Sequence, residues 1–491
     1  MNPTVYVAIN LAFALLILYE GLANSRKFLF LCAFVLPLEG IAIDVGILVN
    51  WSKLVLPLAV LACIARSRNP FSLKTREPAM LLWAAFLGYA VLITSAHMIL
   101  HTYEEDTSTA IALGWGPGQT TYRLPVQLAS TLLCWGVLFA ATSFVRDKAD
   151  FKAVIKGLIA GNVFNAIIGF YGIASGALGL PWFGTIIGRD APAVGRVVTE
   201  SRLSGLAGEP KHAAAGFVFA LLLLLWTRRT HEFARCAQFF TAKAALLTVA
   251  LLLTFSTSGW VAATVGLTYV QVVGRKALHG RAFRLLVLVL LACMVIAAVT
   301  SVTMFDEIVR SRILARAADP GRYEYKEKAF WQYAVQHPET LVFGNGAGGI
   351  DFKLIPYTDA AYLAGSTPSP TYLVDDVLSD FGVIGLLILS LAVGMTVKRL
   401  RRSRCPHLAY LIKAGALVAL CVPRFSVWGF VFVVGAALSY ATSTRNVLVR
   451  SSNSIGRLID PQFVAQSYPL GFRAPALTRT SVHSGIGRVD A

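Results

Sequence analysis

Thirteen apolar runs punctuate this chain, most of them near the length of a membrane-spanning helix. They fall at 4–23, 28–48, 52–66, 79–99, 124–145, 153–176, 212–228, 243–257, 258–273, 284–303, 380–397, 408–423 and 425–442. A bilayer core needs about 20 apolar helical residues per crossing. Charged residues make up only 14% of the 491 positions, against about 25% in soluble proteins. The sequence therefore predicts an all-α polytopic integral membrane protein with about 12–14 transmembrane helices. No basic stretch precedes the first run and no small-residue cleavage site follows it, so it reads as a retained span and not a signal peptide.

Charge orients the helices. Short basic linkers occur at Arg26-Lys27, Arg66 to Arg76, Arg146 to Lys156, Arg228 to Lys243, Gly274 to Arg284 and Lys398 to Arg404. The positive-inside rule puts all of them in the cytoplasm. It also explains the net charge of +18 without nucleic acid, for which the chain offers no soluble basic domain. The linkers at 228–243 and 274–284 share a side only if the runs between them form a hairpin that turns at Ser256-Thr257-Ser258-Gly259. The N-terminus is then outside and the C-terminus inside.

Helices fill 1–303, with outside loops near 101–123 and 177–211. A large extracytoplasmic loop follows at 304–379, then C-terminal helices at 380–442. The basic tail, 443–491, is rich in Ser, Arg, Pro and Gly and is expected to be disordered and cytoplasmic. The seven cysteines are scattered and form no Cys-x-x-Cys pair, so neither a disulfide framework nor a zinc site is indicated.

Within the large loop, 322–336 reads as an amphipathic helix with Ala329, Phe330 and Tyr333 on one face. It should stop at His337-Pro338, because the residue before proline leaves the helical region. The glycine-rich run Phe343-Gly-Asn-Gly-Ala-Gly-Gly follows. It lacks the lysine and helix start of a phosphate-cradling loop and reads as a flexible turn.

Residues 196–216 hold the densest polar cluster beside an apolar run: Arg196, Glu200, Arg202, Glu209, Lys211 and His212. Such clusters at a membrane edge mark aqueous sites more often than idle loops. Arg202 and Arg322 both border outside openings in this topology. A guanidinium fork binds phosphate bidentately, so the pair suits a diphosphate, bound or departing. The alternative is interfacial anchoring. Glu209, just before Pro210 and an apolar helix, is the general-base candidate. Its alternative is to cap that helix or pair with Lys211. Asp375, Asp376 and Asp380 open the span after the large loop. Glu39 and Asp44 are further edge carboxylates with no assigned role. There is no Walker loop, His-Glu-x-x-His or serine nucleophile elbow.

The order of these features resembles the Wzy-type polysaccharide polymerases and the related O-antigen ligases of bacterial envelopes. Arg202-Leu-Ser-Gly-Leu-Ala-Gly-Glu-Pro resembles the family's first-loop Arg-x-x-Gly motif. Leu253-Thr-Phe-Ser-Thr-Ser-Gly-Trp260 resembles its Thr-x-Ser-Arg turn, with Thr257 in place of the arginine. Arg322, Trp331, His337-Pro338 and the glycine run resemble its large loop, and Tyr372 to Gly385 resembles the loop's exit. The match spans roughly 200–390. Where the ligases carry His-Asn, this chain has Ser369-Pro370-Thr371-Tyr372, which favours a polymerase.

The resemblance implies a bacterial inner-membrane enzyme whose active site faces the periplasm. It would join undecaprenyl-diphosphate-linked oligosaccharide units without metal or nucleotide cofactor. Arg202 and Arg322 would hold the diphosphate and Glu209 would act as base, with Arg196, Lys211, His212, Tyr372 and Asp376 binding substrate. The implied partners are the lipid-linked glycan, the bilayer, a chain-length regulator and a flippase. Two alternatives stay open: a ligase moving glycan to a final acceptor, and a transporter or flippase. The chain shows neither repeat symmetry nor the midplane charges expected of the latter.

Overall fold

The computed structural model describes residues 3–39, 42–44, 48–66, 77–114, 120–178, 203–273, 325–358, 372–403 and 405–458. The expected span at 284–303 lies outside these residues. The first helices are α1 (Pro3–Ala23), α2 (Ser25–Val35), α3 (Trp51–Ala65), α4 (Pro78–Ile99), α5 (Glu104–Ala112) and α6 (Arg123–Phe144). Then come α7 (Lys148–Leu178), α8 (Pro210–Arg229), α9 (Phe240–Leu253) and α10 (Thr257–Val273). The large loop contributes α11 (Tyr325–Gln336), α12 (Pro338–Phe343) and α13 (Ile350–Lys353). The last helices are α14 (Leu373–Arg401), α15 (Pro406–Leu420) and α16 (Trp428–Leu458).

Among the described residues, α4, α6, α7, α8 and α14 are long and apolar enough to cross a membrane. Shorter apolar stretches in α1, α3, α9, α15 and α16 pack with them. This is a multi-pass membrane protein.

The second span departs from its expected length. Its apolar run, 28–48, ends as a helix at Val35. The chain then turns into a small antiparallel hairpin, β1 (Ala42–Asp44) against β2 (Leu48–Asn50). Ile and Val fit a strand as well as a helix, so hydropathy alone did not separate the two. The loop at 101–123 contains α5. The last helix continues to Leu458, through the first sixteen residues of the stretch expected to be a disordered tail. Residues up to Ser443 form one compact unit, and Thr444–Ala491 form a second.

Small residues set the tightest helix contact. Gly157 and Gly161, four apart on α7, face α2, and a Cβ on them would come within 2.3 Å of Phe30 O and 2.2 Å of Phe34 O. This is the small-xxx-small packing by which membrane helices approach backbone to backbone. Asn24 caps α2, its Oδ1 accepting from the N–H groups of Arg26 (3.0 Å) and Lys27 (3.3 Å).

The basic linkers that are described gather at one end of the bundle. There Arg26 pairs with Asp147 (2.9 Å) and Asp150 (3.4 Å), Lys148 with Glu232 (2.9 Å), and Arg399 with Glu77 (2.8 Å). Arg229 donates to Val270 O (3.3 Å), while Leu203 N–H donates to Leu253 O (2.9 Å) at the opposite end. Helices α9 and α10 therefore form a hairpin, as the charge argument required. The opposite end carries every motif singled out above that is described.

Candidate functional site

Two constellations occupy the end opposite the basic linkers. The first is built around the start of α8. Pro210 opens this helix, where its missing N–H is harmless. The loop before it is pinned from two sides. Leu203 is tied to Leu253, and Asn165 Oδ1 on α7 accepts the Leu206 N–H at 2.5 Å. Gly205 makes that turn at φ +55°, and a Cβ there would sit 2.4 Å from Asn165 O. The Arg-x-x-Gly pattern thus has a structural reason: only glycine fits the left-handed turn against α7.

His212, in the first turn of α8, points at the turn after α2. Its Nδ1 lies 2.9 Å from Glu39 Oε2, and both side chains are largely buried. Its Nε2 faces Glu209 Oε2 at 3.9 Å, beyond hydrogen-bond reach. Glu209 itself is half exposed and pairs with Lys211 at 3.0 Å. Burial pushes the Glu39 carboxyl upward, and the adjacent His212 opposes that shift. When ionised, Glu39 can only accept, so it holds the imidazole in the tautomer that points Nδ1–H at Glu39 and leaves Nε2 as the acceptor.

Beneath this pair a narrow cavity of about 40 Å³ runs between α7, α8, α15 and α16. Its walls are mostly apolar, among them Leu158, Phe219, Ile412 and Phe430. Two buried polar atoms on the lining residues, Asn162 Oδ1 and Ser426 Oγ, have no hydrogen-bond partner among the described residues. The space suits one to three waters bridging such atoms, since a water needs about 10–15 Å³ of this kind of volume.

The second constellation docks the large loop onto the helices. The glycine run expected to be a flexible turn is instead held fast. The N–H groups of Asn345, Gly346, Ala347 and Gly348 donate to Ser379 O (3.0 Å), Asp380 O (2.8 Å), Thr94 Oγ1 (3.0 Å) and Asp380 Oδ1 (3.1 Å). With those donors occupied, the run is no phosphate cradle. The acceptors at Ser379 and Asp380 lie beside a break in α14, at Gly382 with φ 65° and ψ −173°. The break frees helical carbonyls, and the turn satisfies them.

Around this junction Tyr103 donates to Asn345 O, and Tyr333 donates to Asn345 Oδ1 (2.9 Å). His97 Nε2 donates to Gly344 O (3.2 Å), so its Nδ1 accepts from the Thr102 hydroxyl (2.9 Å). Arg123 forms a buried ion pair with Asp351, and Lys353 pairs with Asp106 at 2.5 Å. The expected helix face Ala329, Phe330 and Tyr333 is buried here against Leu378 and Leu354.

The candidate residues from the sequence are distributed as follows. Glu209, Lys211 and His212 lie together. Tyr372 precedes α14 and Asp376 is buried in its first turn. The turn at 422–427 links the two constellations: Leu373 N–H donates to Val422 O (3.0 Å), and Ser426 lines the cavity below His212. Arg196, Arg202 and Arg322 lie outside the described residues. Glu39 was noted from the sequence without a role, and Asn162, Asn165, His97 and Asn345 were not singled out. Glu39 stood in an apolar run 173 residues from His212, and no local pattern joins them. Polar asparagines in membrane helices were the available signal for the α7 pair.

No family model matches the chain, and no curated protein is similar to it at a significant level.

Proposed function

We propose that this protein is a metal-independent glycosyltransferase of the bacterial inner membrane, acting at its periplasmic face. It joins oligosaccharide units carried on undecaprenyl diphosphate into a surface polysaccharide. The observation that carries this reading is the Glu39–His212 pair, held at 2.9 Å beside Glu209 and Lys211 at a mouth opposite the basic linkers.

In this reading His212 replaces Glu209 as the group that accepts the proton. The acceptor sugar hydroxyl donates to Nε2, which stands 3.9 Å from Glu209 Oε2, beyond hydrogen-bond reach of it. Its oxygen attacks the anomeric carbon of the donor. The bond from that carbon to the diphosphate breaks, the diphosphate leaves with the electron pair, and the hydroxyl proton passes to Nε2. Glu39 steadies the resulting imidazolium. Arg202, next in sequence to the pinned Leu203, and Arg322 compensate the charge developing on the diphosphate. Lys211 adds positive charge beside Glu209, and Arg196 binds substrate in the same reading.

A transporter would use a broken helix to expose carbonyls and helix ends to its cargo. Here the carbonyls freed at the α14 break are taken by Asn345 and Gly346, which favours the enzyme.

The test is the lipid-linked glycan profile of a cell lacking this protein. A polymerase leaves single repeat units on the lipid diphosphate and no long polymer. Long polymer that stays on the carrier would mean a ligase, and single units trapped on the cytoplasmic leaflet a flippase.

A further inference from the structure

Helices α11 and α12 keep one face on the protein and leave another uncovered. Trp331 is 47% exposed and Val335 79%, one turn apart on α11, and Lys328 is exposed on the preceding turn. On α12, Val342 and Phe343 are 42% and 54% exposed. Four large apolar side chains in nineteen residues is a heavy exposure for a loop bathed in water.

The depth of this segment explains them. Ala347 N–H is bound to Thr94 Oγ1, and Thr94 lies about 7.5 Å along α4 from its end at Ile99. Phe343 O accepts from Tyr89 OH at 2.7 Å, and Tyr89 lies about 15 Å from that end. Val342 lies against Gly382, nine residues into α14. The C-terminal end of the α11–α12 segment therefore dips below the ends of two membrane-crossing helices. At the same level α4 exposes Val91 and Leu92, and α14 exposes Val383 and Leu387. The uncovered face of the segment continues a surface that hydrocarbon already covers.

We propose that α11–α12 is a membrane-inserted segment whose uncovered face is occupied by the lipid of the leaflet opposite the basic linkers. Val335, Val342 and Phe343 meet acyl chains. Trp331 takes the interfacial position that tryptophan favours, and Lys328 reaches the lipid phosphates. Beside them a shallow groove between α11 and Pro356–Thr358 opens to the same side, large enough for part of a headgroup. The large loop is thus anchored in lipid along 325–343, whatever reaction the protein performs.

The test uses the full chain in phospholipid nanodiscs with Val335→Cys, Phe343→Cys or Glu104→Cys labelled with a small fluorophore. Glu104, on α5 beyond the end of α4 and with a side chain 76% exposed, reports the aqueous surface. Unsubstituted protein gives the labelling blank. A nitroxide phospholipid should quench the labels at 335 and 343 severalfold more than at 104, and aqueous iodide should do the reverse. Iodide quenching at 335 and 343 equal to that at 104 would overturn the proposal. So would protection from both quenchers, which would mean that protein covers the face.

Discussion

His212 Nδ1 lies 2.9 Å from Glu39 Oε2 although the two residues are 173 positions apart. The contact joins the turn after α2 to the first turn of α8, and it gives a base to a mouth where the sequence had offered only Glu209. Replacing His212 with Gln should lower polymer formation by about 100-fold or more, the usual share of a general base. Glu39→Gln should have a loss of similar order, and Glu209→Gln only a severalfold one. The readout is polymer length on gels at matched membrane levels. A reversed order would return the base role to Glu209.

The same pair has a signature in stability. Burial raises the folded-state pKa of Glu39, so ionising it costs more in the folded protein than in the unfolded chain. That penalty is absent at low pH and grows as pH rises through the raised value. Glu39→Gln removes it. The melting temperature of the variant in detergent should match that of the unsubstituted protein in acid and exceed it at neutral and alkaline pH. A variant less stable at alkaline pH would show that His212 outweighs burial.

Arg202→Ala and Arg322→Ala should each reduce polymer about 100-fold or more at normal expression, because each removes a donor to a developing charge. Lysine should rescue only in part, as it lacks the bidentate fork. Full-length polymer in Arg202→Ala would remove the diphosphate role from that residue.

Gly382→Ala should destabilise by about 3 kcal/mol or more. The backbone there, φ 65° and ψ −173°, is open to glycine almost alone, and a Cβ would sit 2.3 Å from Val342 O. Thermal denaturation followed by size-exclusion chromatography measures it, with Gly394→Ala, where a Cβ meets no atom within 4 Å, as the tolerant control.

Tyr333 links α11 to the glycine run, and burial pushes its hydroxyl up to about 12. Its neutral form is favoured by folding, so the stabilisation is complete below about pH 10 and is lost as pH rises through about 12. Tyr333→Phe should cost about 1–2 kcal/mol at neutral pH by stranding Asn345 Oδ1. It should also remove one late-ionising tyrosine from an alkaline absorbance titration.

Hydropathy and charge made the helices and the hairpin at 243–273 legible, because both act over whole segments. They failed at 36–50, where Ile and Val serve a strand as readily as a helix. The buried face of α11 was legible from its period, but the docking of the glycine run was not. That docking depends on Thr94, Ser379 and Asp380, each far away in the chain. Glu39 went unassigned for the same reason. A lone carboxylate at the end of an apolar run gains meaning only from the helix that folds against it.

The order in which the chain is made follows from the junction at Asn345. Its side-chain N–H group and the backbone N–H groups of Gly346 and Gly348 are satisfied by Ser379 and Asp380, about 32–34 residues later. During synthesis the glycine run therefore emerges before its acceptors exist, while Thr94 has long been in place. The run can seat only once α14 has been handed to the bilayer, so the closing of this end of the bundle is a late event in biogenesis. A ribosome stalled before that helix would leave the large loop undocked, with its polar backbone exposed to the quality-control machinery of the membrane.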